Sequence, residues 1–177
     1  GDLLKLAIES LLAQEYGDFE FVICDNASTD GTEELCRSYA AHDSRITYYR
    51  RDRNYGMTDN GRKAFSMATK GIYYLMASHD DQWHPSFLKR CVECLDANPS
   101  VVMAVPAVQF LSPEGVPCEF PYPPLHTVGM GLRSRVASIF NETNVGYNSY
   151  GLYRRDVLEK IRLDIKCYGN DVIYLLL

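Results

Sequence analysis

A chain of 177 residues, 46% hydrophobic and 23% charged, has the balance of an ordinary globular protein and enough length for one good core. A net charge of −5 without a basic tract argues against nucleic acid as a partner. No apolar run approaches the about 18 residues that a membrane span requires, and Gly1 to Leu6 lacks the regions of a signal peptide.

Leu4, Ile8, Leu11 and Leu12 recur at helical spacing and predict an amphipathic helix ending near Tyr16. Phe19 to Cys24 is a run of strand formers, followed by a polar loop from Asp25 to Gly31. Asp30 with Glu33 three residues on has the form of a capping box, opening a helix through Leu35, Cys36, Tyr39 and Ala40. Ile46 to Tyr49 is the next strand, and Arg50 to Gly56 reads as loop. Residues 58–69 read as helix, 72–77 as strand, 85–97 as helix and 101–110 as another apolar strand. This alternation predicts a mostly parallel sheet flanked by helices.

The pattern weakens beyond Phe110. Ser112 to Gly115 is a turn, and Pro117 to Pro124 is too proline-rich for regular structure. A helix is expected around 130–140, a strand over 144–153, a short helix over 156–161 and a helix opened by Asn170 and Asp171. The segment from 111 to 129 is long for a structureless connection, which points to function or mobility.

Six cysteines raise the question of metal or redox chemistry. Cys91 and Cys94 form a C-x-x-C, but Phe87, Leu88, Cys91, Val92 and Leu95 make a helical stripe that accounts for Cys91 as core. No second C-x-x-C or histidine pair stands at zinc spacing. Free thiols in a reducing cytoplasm are the expectation.

Three positions carry chemistry. Asp80 and Asp81 end the apolar strand and precede the helix behind Pro85. Strand ends are where open α/β folds place ligands, and two acids with no local Lys or Arg make a hard-oxygen site for Mg²⁺ or Mn²⁺. An acidic turn capping the next helix is the competing account. Asp25, with Asn26 beside it, stands at the end of the strand from Phe19 to Cys24, where a carboxylate accepts hydrogen bonds from a base N–H or a ribose hydroxyl. The turn and helix cap account for Ser28, Thr29 and Asp30, but not for Asp25. Asp171, before an apolar helix, has N-capping as its simplest role.

Residues 8–32, ending in Asp25-Asn-Ala-Ser-Thr-Asp-Gly-Thr32, resemble the opening of family 2 glycosyltransferases. Asn54-Tyr-Gly56, Ala68 to Tyr73 and Ser78-His-Asp-Asp81 continue the resemblance in order and at similar spacing. Gly151 to Leu158 and Gly169 to Asp171 resemble later blocks of the same family. The resemblance implies a GT-A fold over 1–177 as one catalytic domain. Its nucleotide-sugar-binding half would be 1–110 and its acceptor-side half 111–177. The family's first strand would be missing, and the acceptor half incomplete.

It further implies transfer of a sugar from a nucleotide-diphosphate donor to a hydroxyl acceptor, with inversion. Asp25 and Asn26 would meet the donor, Asp80 and Asp81 the donor and a divalent cation, and Asp171 would be the general base. Asp81 is the stronger metal-ligand candidate, and Ser78 stands where many relatives carry another Asp. The expected location is the cytoplasm, or the cytoplasmic face of a membrane. A nucleotidyltransferase or a catalytically silent nucleotide-sugar-binding module are the alternatives.

Overall fold

The computed structural model of the chain describes residues 2–112, 114–118, 126–141 and 150–160. Two compact units emerge, one from residues up to Ile72 with Ser78–Lys89, the other from Tyr73–Ala77 and the described residues from Arg90 onward.

In the first unit, helix α1 (Asp2–Leu12) buries Ala7, Ile8 and Leu11. It stops four residues before the expected end, because the chain finds better partners than another helical turn. Gln14 is 7% exposed. Its Nε2 donates to Ser10 O at 3.1 Å, His84 O at 2.9 Å and Trp83 O at 3.5 Å, while its Oε1 accepts from Leu88 N at 2.9 Å. Glu15 N donates to Pro85 O at 2.9 Å, and Trp83 N to Ser10 Oγ at 3.1 Å. Residues 83–88 are thereby laid along the end of α1, with Trp83, Phe87 and Leu88 buried.

Strand β1 (Phe21–Asp25) pairs in parallel with β2 (Ile46–Arg50), in a register that sets Asp25 opposite Arg50. Helix α2 (Thr32–His42) connects them and buries Cys36. The capping box expected at its start does not form. Gly31 occupies the N-cap position without a side-chain bond, and Asp30 Oδ1 accepts from Thr32 N at 3.2 Å. Glu33 instead pairs with Arg37 and Arg50. Helix α3 (Met57–Met67) starts after Gly56, whose φ of 83° suits a residue without Cβ. Asn54 Oδ1 accepts from the Gly56 amide at 2.8 Å and so fixes that turn.

In the second unit, β3 (Tyr73–Leu75) and β4 (Met103–Ala104) both pair antiparallel with β7 (Leu152–Arg154), which lies between them. Among the described residues the expected parallel pairing with flanking helices is that of β1 and β2, while β7 adds antiparallel pairs with β3 and β4. The expected 101–110 strand also breaks up. Pro106 has no N–H to give to a ladder, and the run yields β4 and, at its end, β5 (Phe110–Leu111). β5 makes a hairpin with β6 (Pro117–Cys118), closed by Gly115 N to Ser112 O at 2.8 Å.

Helix α4 (Phe87–Ala97) begins in the first unit, and its Cys91 and Leu95 enter the core of the second with Ala104, Leu152 and Leu158. Burial pushes the Cys91 thiol up to about 11, while Cys94 is exposed. Arg154 ties the end of α4 to β7, donating to Leu95 O at 2.6 Å, Asn98 O at 3.3 Å and Val101 O at 2.8 Å. A Cβ on Gly151 would lie 2.8 Å from Ala104 O, so only glycine lets β7 approach β4 this closely. Helices α5 (Leu132–Asn141) and α6 (Arg155–Lys160) complete the described elements. Asp171 and the helix expected after it lie outside the described residues, as do positions 144–149 of the expected strand.

Gln14→Ala leaves the buried Leu88 amide and the His84 carbonyl without their partner. A loss of about 2–3 kcal/mol is expected, read as a lower urea midpoint. An unchanged midpoint would show that the contacts of Trp83 and Phe87 alone hold residues 83–88 to α1.

Candidate active site

Parallel pairing puts the C-terminal ends of β1 and β2 on one edge, the edge at which α/β sheets bind ligands. Asp25 is the last residue of β1, and its side chain has 0% exposure. Oδ1 accepts from Ser28 N at 2.8 Å, Oδ2 accepts from Tyr48 Oη at 2.7 Å and Arg50 Nη1 at 3.0 Å, and the Ser28 hydroxyl bonds to the same carboxyl. Burial would raise the Asp25 pKa, but the bonds from Ser28, Tyr48 and Arg50 outweigh it and hold the carboxyl below its ordinary range. Burial and the bond to Asp25 push the Tyr48 phenol upward. Within the turn that follows, Ala27 adopts φ 64°, a strained conformation for a residue with a Cβ.

Asn26 extends the site from the first loop to the second. Its Nδ2 donates to Asn54 Oδ1 at 2.9 Å, and its Oδ1 accepts from Tyr55 N at 2.9 Å. The Arg51 and Arg53 guanidinium carbons lie 4.0 and 4.7 Å from the centre of the Tyr55 ring, and Arg51 pairs with Asp59 at 2.9 Å. Beneath this rim Asn60 Nδ2 donates to Cys24 O at 2.7 Å, tying α3 to β1. The two loops at the sheet edge are thus cross-linked by side chains.

Asp80 and Asp81 occupy the exposed turn before residues 83–88. Ser78 Oγ donates to Asp80 Oδ1 in a short bond, and His79 Nδ1 lies 3.8 Å from the same oxygen. The Ser78 bond, aided by His79, lowers the Asp80 pKa. Desolvation and the neighbouring Asp80 charge raise that of Asp81, although the residue keeps exposed surface. The geometry therefore separates two adjacent acids into a readily ionised one and a reluctant one.

Asp25 and Asn26 form one cluster and Ser78 to Asp81 another, both within the first unit. Among the described residues no hydrogen bond or ion pair joins the two clusters, and no three His, Cys, Asp or Glu side chains gather as a metal-holding group. Two exposed carboxylates still suit Mg²⁺ or Mn²⁺, which is commonly held by one or two protein carboxylates plus substrate phosphates. Sequence reasoning missed Tyr48 and Arg50, the latter read as loop. The available signal was period-two spacing from buried Ile46 through Tyr48 to Arg50, which puts all three on one face of β2.

The depressed Asp25 pKa links stability to pH. The folded chain binds this proton more weakly than the unfolded one, so the stabilisation is complete above the ordinary carboxylate value of about 3.9. It is lost as pH falls through the lowered folded value. Urea unfolding from pH 6 to 2 should show Asp25→Asn less stable at pH 6 and with a shallower acid limb than the parent. Equal slopes would assign the proton uptake to other carboxylates.

The family model for glycosyl transferase family 2 matches residues 1–162. The chain is 36% identical over 96 residues to the succinoglycan biosynthesis protein ExoO of Rhizobium meliloti (strain 1021), covering 54% of this chain and 27% of that protein. The crystal structure of S. aureus TarS 1-349 in complex with UDP-GlcNAc superposes with TM-score 0.69 at 18% identity, covering 97% of this chain and 48% of that one. The mannosyltransferase PcManGT from Pyrobaculum calidifontis, in complex with GDP-Man and Mn²⁺, gives 0.65 at 19% identity, covering 98% and 47%. The chain spans about half the length of these solved structures, and less of ExoO. The likeness to the two structures shows a GT-A fold. With the family match extending over most of its length, the chain belongs to glycosyl transferase family 2.

Proposed function

We propose that this glycosyltransferase moves a sugar from a nucleoside-diphosphate donor to a hydroxyl of a growing polysaccharide, with inversion at the anomeric carbon. The observation that carries this reading is the exposed Asp80–Asp81 pair in the same unit as the cross-linked loops around Asp25 and Asn26. One cluster suits the diphosphate end of the donor and the other its nucleoside end. Support comes from the UDP-GlcNAc bound to TarS, the GDP-Man and Mn²⁺ bound to PcManGT, and the succinoglycan biosynthesis named for ExoO.

In the reaction the acceptor oxygen attacks the anomeric carbon as the bond from that carbon to the diphosphate oxygen breaks. The electron pair leaves with the nucleoside diphosphate. Attack from the face opposite the leaving group inverts the configuration, and Asp171 takes the acceptor proton as general base. A divalent cation held by Asp81, with Asp80, would supply positive charge against the departing diphosphate. Asn26 keeps the loops at the sheet edge in register for the donor. Exposed Cys94 and Cys118 suit a reducing compartment, the cytoplasm.

Asp81→Asn keeps the side chain's shape and removes its charge. Mn²⁺-dependent binding of nucleotide sugar, followed by calorimetry, should disappear while the thermal midpoint stays within a few degrees. Donor binding as tight as the parent's would mean that Asp81 does not hold the cation.

Asn caps a helix about as well as Asp but cannot accept a proton, so Asp171→Asn tests the base role alone. Release of nucleoside diphosphate should fall by roughly 10²–10⁴-fold with donor binding unchanged. Near-normal release would remove Asp171 from the role of base, and release of pyrophosphate instead would mark a nucleotidyltransferase.

A further inference from the structure

Asp25 has no acceptor capacity to spare. A carboxylate offers about four acceptor sites, and Ser28 N, the Ser28 hydroxyl, Tyr48 and Arg50 take four on a side chain with 0% exposure. A nucleobase N–H could reach Asp25 only by displacing one of these donors and opening the strand end. Arg50, opposite Asp25 in register, is the part of this network that meets solvent, with a side chain 30% exposed.

Its Nη1 donates to Asp25 Oδ2 and to Ser28 O at 2.9 Å, and its Nε lies 3.1 Å from Glu33 Oε2. The Tyr48 hydroxyl also bonds to this guanidinium, and among the described residues Nη2 has no carboxylate or carbonyl partner. Resting on the proposed nucleotide-sugar donor, we infer that Arg50 reads the nucleobase through Nη2 and that Asp25 is a positioning residue that aims it.

The class of acceptor follows from charge. Two carboxylates, Asp25 and Glu33, already face the Arg50 guanidinium, so its field toward a diphosphate is cancelled. A neutral carbonyl oxygen is the better match for the remaining N–H groups. Uracil and guanine carry such a carbonyl and adenine does not, so Arg50 selects carbonyl-bearing bases.

Arg50→Lys tests the assignment. Lysine has three donors, enough for Asp25, Ser28 O and Glu33 but with none left for a ligand. Affinities for UDP, GDP, ADP and inorganic pyrophosphate are measured by calorimetry in Mn²⁺ for the parent, Arg50→Lys and Asp25→Asn, with thermal melts as the folding control. The parent should bind UDP or GDP at least tenfold more tightly than ADP. Arg50→Lys should lose about tenfold for that nucleotide, the scale of one charge-assisted hydrogen bond, with ADP and pyrophosphate within threefold.

A preserved preference over ADP in Arg50→Lys, with the preference lost in a folded Asp25→Asn, would make Asp25 the direct reader and overturn the inference. So would an equal loss for pyrophosphate, which would make Arg50 a phosphate contact. Binding of no nucleoside diphosphate by the parent would instead defeat the donor reading on which the inference rests. Should Arg50→Lys melt far below the parent, Arg50→Gln replaces it with the same expected loss of base preference.

Discussion

A carboxylate without exposed surface persists as an anion only where donors replace its lost water, and Asp25 collects four of them at the end of one strand. Meeting that requirement organises the whole sheet edge. Ser28 must turn back, which forces Ala27 into positive φ. Tyr48 and Arg50 must share a face of β2, which the period of two along a strand provides. Arg50 must then stay extended over Glu33 at the start of α2. Strand, turn and helix entry are therefore fixed by one buried charge, and the Asn26–Asn54 link carries that order into the second loop.

The other cluster is held by a different device. Ser78 to Asp81 have few anchors of their own, but the residues just after them are bound backbone-first to α1 through Gln14, Ser10 and Glu15. A carboxamide suits this task because it donates and accepts at once. It satisfies carbonyls at the end of a loop and an amide at the start of a helix with no net charge. The acids consequently sit on a tethered turn while their own oxygens remain largely in solvent. Such a turn can adjust to a ligand without loosening α1.

What was legible in the sequence follows from the range of the interactions involved. Helices α1 to α4 announce themselves by apolar spacing, and β1 and β2 by runs of strand formers, because those signals are local. The family motifs around Asp25, Asn54 and Asp80 were visible for the same reason. Pairing partners far along the chain were not. Nothing local to Tyr73 or Met103 shows that Leu152 to Arg154 will run between them in the opposite direction. Asp30 and Glu33 matched a capping pattern, yet Glu33 found two arginines, and pairing with full cations displaced its bond to a backbone N–H. Arg50 looked like loop because charge is unusual in a strand; its partner, Asp25, is distant in sequence and adjacent only after β1 and β2 align.

The acids of the site thus differ in what remains of their charge. Asp25 is spent on the fold: its anion is balanced by protein donors, and a cation brought to it would compete with Arg50. Among the described residues Asp80 meets Ser78 and His79 and Asp81 keeps exposed surface, so most of their negative potential remains available. Desolvation and Asp80 hold the Asp81 carboxyl upward, and an approaching divalent ion would remove that bias by stabilising the ionised form. The proposed nucleotide-sugar donor, with a polar base at one end and a diphosphate at the other, would suit this division: its neutral end would meet the spent network around Asp25, and its charged end the two acids that the fold has left uncommitted.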